Sequence, residues 1–280
     1  MARPHIDYLQ SQTVPWQPSH WPHLPGCELK ILSRDTDRGS ASVLVRYPSG
    51  WAAPGPGFLG TGEEFLVLDG LLELDGRRCA QDTFGWFGAG YRHASRSAPD
   101  GAVVLAFYDA EPVWTHGEPP ADRPAAEARV IDTFELPWAG GDGDAAFGGQ
   151  GHLRKVLRDS PDAGAATMLI AAPPHLHPPR WRARQQIHGY AEELFLLSGD
   201  VLSNVGQLFP GAYLCRPAGV AHGPYGSRGG GLALRRRHGA SVASTFTAHE
   251  LTLARAPHYQ PTLPPGLPAP GPHPWRPRRY

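Results

Sequence analysis

Two carboxylate pairs, Glu63-Glu64 and Glu192-Glu193, each open an apolar run that closes on a glycine, Gly70 and Gly199. Each is followed at the same distance by a histidine, His93 and His222. A carboxylate and an imidazole brought together can exchange a proton or hold a metal ion. A strand ending in a hairpin turn accounts for the apolar residues, but not for the acid that opens it or the histidine that returns. The second set is the richer. His188 lies four residues before Glu192 and Gln186 two before that, where the first set has Leu59 and Gly57. A further imidazole pair, His175-Leu176-His177, has the alternation that puts two side chains on one face of a strand. Pro173, Pro174, Pro178 and Pro179 surround it and argue for a loop. Nucleophile chemistry finds no foothold, because no GxSxG phrase is present. The Gly-rich stretch at 139–151 lacks GxxxxGK[ST] and reads as a flexible connection.

The elements that must position these residues come twice. Val14-Pro15-Trp16 is echoed by Leu136-Pro137-Trp138, and Leu29 to Asp35 by Arg154 to Asp159. The only lysines, Lys30 and Lys155, fall at equivalent places, 155 − 30 = 125 residues apart. The block from Glu63 to Gly70 matches Glu192 to Gly199 at 192 − 63 = 129, and Gly90 to His93 matches Gly219 to His222 at the same offset. Ordered matches at near-constant spacing signify a tandem duplication, with a four-residue insertion in the second copy between Pro173 and Glu192. Short runs such as Ser42–Tyr47, Val103–Tyr108 and Thr167–Ala171 are rich in branched or aromatic residues, and turn residues punctuate them. That is the rhythm of an all-β sandwich or barrel. The expected organisation is a first barrel over 5–115, a linker over 116–128, a second barrel over 129–255, and a Pro-rich tail over 256–280.

Five residues separate Gly211 from Pro217-Ala218-Gly219, and His222 closes that phrase; with His188, Glu192 and Gly199 upstream, the second copy resembles the cupin superfamily. The whole chain is similar to two-module bicupins, a group that includes dioxygenases, isomerases and anti-sigma-factor-type sensor domains. The resemblance implies an all-β fold of two tandem jelly-roll barrels. It also implies that His188, Glu192 and His222 are three of four metal ligands, with Gln186 where the family places its first histidine. Two imidazoles and a carboxylate around an open face suit Fe(II), with Mn, Ni or Zn also accommodated. Gln186 would complete the site through its carbonyl oxygen or bond a metal-bound water. In the first copy only Glu63 and His93 remain, and these are expected to hydrogen-bond within a barrel that has kept its shape.

The implied activity is that of a metal-dependent enzyme, most simply a non-haem Fe(II) dioxygenase acting on a small organic molecule. A non-catalytic sensor and a metal-dependent isomerase or lyase are the alternatives. Glu193, next to Glu192 on a strand, should face the opposite way. Arg180, Arg182, Arg184, Arg216, Arg235, Arg236 and Arg237 are expected to form a solvated edge rather than a substrate clamp. Tyr190, Trp181, Tyr213 and Tyr225 are expected chiefly in the core.

Lys+Arg equals Asp+Glu at 26 each, so no global field steers the chain to nucleic acid or an anionic membrane. The expected partner is a small molecule, or a second copy in a homodimer. Three widely spaced cysteines and the lack of an apolar leader fit a reducing cytoplasm.

Overall fold

A computed structural model of the chain describes residues 3–122, 126–141, 151–160, 164–174, 181–239 and 243–253. His175, His177, Arg180, most of the Gly-rich stretch and the Pro-rich tail lie outside the described residues. Among those described, nearly every regular element is a strand, and the helical ones are two 3₁₀ turns, Ser11–Thr13 and Thr133–Glu135. No described helix is long and apolar enough to cross a membrane. The chain folds as two all-β barrels, the architecture that the strand-rich repeats predict and that the family resemblance implies.

In the first barrel the large sheet runs, by hydrogen-bonded neighbours, Ala128–Asp132, Thr83–Phe87, Glu63–Leu74, Ala102–Tyr108, Ala41–Tyr47, Glu28–Arg34 and Gln17–Pro18. The second barrel repeats that order with Ile6–Gln10, Ala212–Arg216, Ala191–Gly199, Gly231–His238, Ala165–Ala172, Leu153–Ser160 and Ala139–Gly140. Small three-stranded sheets complete them, centred on Gly57–Leu59 in the first and Arg182–His188 in the second. The duplicated phrases acquire local reasons. Lys30 lies over the Trp16 ring at 4.7 Å and Lys155 over Trp138 at 4.8 Å, the same lysine–tryptophan contact in each copy. Register slips at the same place in both copies, between Ile31 and Ser33 and between Val156 and Arg158. Gly70 (φ +76°) and Gly199 (φ +79°) end the two Glu-Glu runs in the left-handed region, and a Cβ on either would run into the carbonyl oxygen of Gly101 or Gly230.

The compact units do not follow the repeat boundaries. One comprises Met1–Arg3 and Pro15–Leu136, the other Pro4–Val14 and Pro137–Tyr280. Each repeat gives its leading strand to the other barrel: Ile6–Gln10 pairs with Ala212–Arg216, and Ala128–Asp132 pairs with Thr83–Phe87. The expected spans of 5–115 and 129–255 are therefore corrected at their first strands, and residue 128 of the expected linker opens a strand. The reason is hydrophobic: Ile6, Tyr8 and Leu9 are fully buried, and Tyr8 packs with Leu196, Leu208 and Leu214 of the second barrel.

Candidate metal centre

Three strands converge on the second barrel's candidate site. Alternation along Arg182–His188 puts Gln186 and His188 on one face. In register, Gln186 stands opposite His222 and His188 opposite Ser244. Glu192 arrives from the large sheet, one residue into Ala191–Gly199. Ligand atoms of His188, Glu192 and His222 all lie within 4.8 Å of one another, and all three side chains are buried. Nε2 of His222 is 3.2 Å and Nε2 of His188 is 3.9 Å from Glu192 Oε1. Gln186 lines the same cavity.

Each imidazole is held by its far nitrogen. His222 Nδ1 donates to the Val220 carbonyl at 2.9 Å, which leaves Nε2 as a lone pair facing the carboxylate. His188 Nδ1 contacts Ser244 Oγ, and its ring stacks on Tyr190 with centroids 4.5 Å apart. Burial, with Arg216 nearby, lowers the His222 pKa to about 4, so the ring is neutral at physiological pH. Burial would raise the Glu192 carboxyl, but His222, Arg216 and His188 together hold it at about 2. The donors therefore fit a divalent cation: His222 Nε2 is buried, accepts no hydrogen bond and confronts an ionised oxygen. Two lone-pair groups set this close are reconciled by a positive charge between them. Ser244→Ala is expected to weaken divalent-metal binding about tenfold without unfolding the barrel, because orientation of a ligating imidazole is lost. Calorimetric titration with Mn(II) measures it.

Arg216 was not expected at the site. Its Nη1 donates to Glu192 Oε1 at 3.0 Å, and its Nε reaches Asp7 Oδ1 at 3.5 Å. Asp7 lies on the strand that begins the chain. The solvated-edge expectation fails for Arg216, Arg235 and Arg236, which are only 4%, 6% and 2% exposed. Strand alternation turns Arg216 and Arg235 into the cavity, where Arg216 pairs with Glu192 at 3.0 Å, and puts Arg236 on the opposite face, buried against Glu193 at 3.0 Å. Arg182 and Arg184 are exposed, but their strand is the central one of its sheet rather than an edge, and both line the cavity. Glu193 faces away from Glu192 and also accepts from Tyr213 at 2.6 Å. Tyr190 and Tyr213 are core residues, whereas Trp181 and Tyr225 line the cavity. That cavity encloses about 760 Å³.

The first barrel is built differently at the same place. Gly57 occupies the Gln186 position, and a Cβ there would come within 2.6 Å of the Trp114 ring. Trp114 stands opposite Leu59 as Ser244 stands opposite His188, so an indole fills what a serine leaves open. Glu63 is engaged by Arg96 at 3.3 Å and Tyr108 at 3.0 Å, and His93 by Asp75 at 3.2 Å. The cation has also changed strand between the copies. At the offset of 129, Phe87 corresponds to Arg216 (87 + 129) and Arg96 to Tyr225 (96 + 129), so each glutamate keeps an arginine and each site an aromatic.

His23 in this barrel is 1% exposed and lies between Trp21 and Trp114, with ring centroids 5.9 and 6.2 Å away. Burial, assisted by Arg96, lowers its pKa to about 3. Below pH 6.5 an unfolded chain takes up the proton that the folded one refuses, so folding stability falls as pH drops from 6.5 toward 3. His23→Phe is expected to flatten that arm of the first barrel's melting temperature against pH.

The sequence matches the family model for a domain of unknown function, DUF4437, over residues 23–241. A search of curated proteins found no match. Among solved structures, a "putative dioxygenase" from Nostoc punctiforme is 21% identical with a TM-score of 0.73, over 90% of this chain and 88% of that one. The protein Ylba from E. coli is 12% identical with a TM-score of 0.57, over 85% and 92%. A deletion mutant of oxalate decarboxylase from Bacillus subtilis is 12% identical with a TM-score of 0.53, over 85% and 78%. At these identities the likenesses establish the two-barrel cupin fold. The chain belongs to the DUF4437 family, and its fold is that of the cupin superfamily.

Proposed function

We propose that this chain is a metal-dependent cupin enzyme, a dioxygenase acting on a small organic substrate in the second barrel. The observation that supports the reading is the buried His188–Glu192–His222 cluster on the wall of a cavity of about 760 Å³. His188, Glu192 and His222 would hold one divalent cation, Fe(II) by preference and Mn, Ni or Zn as alternatives, with Gln186 beside them. Bound there, such a cation supplies Lewis acidity and, for iron, electron exchange between substrate and dioxygen. The chain's own groups do the positioning. Val220 and Ser244 fix the imidazoles, Arg216 keeps Glu192 ionised, and the apolar walls exclude water from the substrate's body. Protein purified without chelator is expected to hold about one equivalent of metal, lost in His222→Ala, and to consume dioxygen with a diketone or phenolic substrate.

A second reading is favoured by the Arg216–Glu192 contact at 3.0 Å, which gives the carboxylate a cation from the chain itself. On that reading the barrel is a metal-free binding or sensor module. Folded, metal-free protein that takes up no metal when Gln186→His supplies the missing imidazole would decide for it.

A further inference from the structure

The cavity changes character along its length, and strand register shows how. Glu192, Leu194 and Leu196 alternate onto one face of Ala191–Gly199. On one neighbouring strand Arg216 stands opposite Glu192, and Leu214 opposite Leu194. On the other, Arg235 stands opposite Leu194 and Ala233 opposite Leu196, and Ile170 continues the Ala233 row. All of these side chains line the cavity. The rows therefore run from polar, through leucine flanked by Arg235, to wholly apolar. The distance from Glu192 to Leu196 is about 13 Å at the usual rise per strand residue. A volume of about 760 Å³ holds a molecule far larger than a two-carbon acid.

We propose that the ligand of this site is an amphiphile with one oxygen-anion head and an alkyl or aryl body. The head lies at the His188–Glu192–His222 end with the Arg235 guanidinium beside it. The body, about ten carbons long to span the rows, lies on Leu194, Leu196, Leu214, Ala233 and Ile170. The inference rests on the function proposed above for what the head meets, and on the apolar rows alone for what the body is. A short dianion such as oxalate would leave those rows uncovered and gain nothing from them.

Isothermal titration of the full chain with hexanoate, octanoate, decanoate and oxalate tests this. Affinity is expected to rise about fourfold per methylene, on the order of a hundredfold from hexanoate to decanoate, with oxalate weakest. Ala233→Phe fills the apolar row and is expected to abolish the dependence on chain length while leaving metal content unchanged. Should that variant fail to fold, Leu194→Ser reads the same wall through a half-buried side chain and is expected to weaken decanoate at least tenfold. A flat series, oxalate binding as tightly as decanoate, or a folded Ala233→Phe that still prefers long chains overturns the proposal. Metal content measured on the same preparations separates the two readings. A flat series with metal present defeats the amphiphile alone, whereas a steep series without metal defeats the metalloenzyme and leaves the amphiphile site.

Discussion

Deleting residues 1–10 is expected to unfold the second barrel and leave the first folded. That inverts what the order of the repeats would suggest. The deletion removes Ile6, Tyr8, Leu9 and Gln10, each no more than 1% exposed, from the edge beside Ala212–Arg216. Each large apolar side chain lost from a packed core costs about 2–5 kcal/mol. The sum approaches the whole stability of an ordinary domain, about 5–15 kcal/mol. Gln10 also gives up its bond to the Pro210 carbonyl, 2.8 Å long, and Asp7 its contact with Arg216. Calorimetry should lose the second barrel's transition and keep the first's. A peptide of residues 4–14 added in trans should restore it by adding the missing strand. A truncated chain with an unchanged thermogram would show that the exchanged strand is dispensable.

Glu192→Gln is expected to remove metal binding, by more than a hundredfold, and to destabilise the second barrel by about 3 kcal/mol at the same time. The second effect belongs to Arg216, whose guanidinium is buried and loses the carboxylate 3.0 Å away. The loss falls at the low end of the range for a broken buried pair because Asp7, 3.5 Å from its Nε, remains. Adding Arg216→Met removes the stranded charge. The double variant should recover most of the stability and none of the metal affinity. Chemical denaturation and metal titration on the three proteins read the two losses independently. If the double variant is as unstable as Glu192→Gln alone, the ion pair is not what the carboxylate stabilises.

What could be read from the sequence was whatever repeats or lies close along the chain. The offsets of 125 and 129 located both barrels, and His188, Glu192 and His222 fall in two short phrases that the fold brings within 4.8 Å. The other half of the site depends on pairings between distant residues. Arg216 looked like one of several surface arginines. Its parity with Leu214 on an inward-facing strand, and its place opposite Glu192, become evident only when those strands lie side by side. Ser244 carried no signal, since its importance comes from lying opposite His188. Asp7 was still less accessible, because the leading strands of the two repeats change barrels. Nothing in local propensity says which of two similar sheets an edge strand will join. The plug in the first barrel was half visible. Leu59 and Gly57 showed that imidazoles were absent, but not that Trp114 had taken their space.

The exchanged strands also set a timetable for synthesis. Asp7 and Arg216 are separated by 209 positions, so the leading strand of the first repeat pairs with one made long after it. At about 5–20 residues per second, that strand waits on the order of ten to forty seconds with its backbone groups open. The first barrel meets a shorter delay, since Thr83–Phe87 waits only for Ala128–Asp132. Folding on the ribosome is therefore ordered: the plugged barrel closes first, and the barrel with the candidate metal centre cannot close until Ala212–Arg216 has been made. During that interval the waiting strand is an edge available to any other nascent chain. Slow translation between the two halves should raise misassembly without altering the stability of the finished protein.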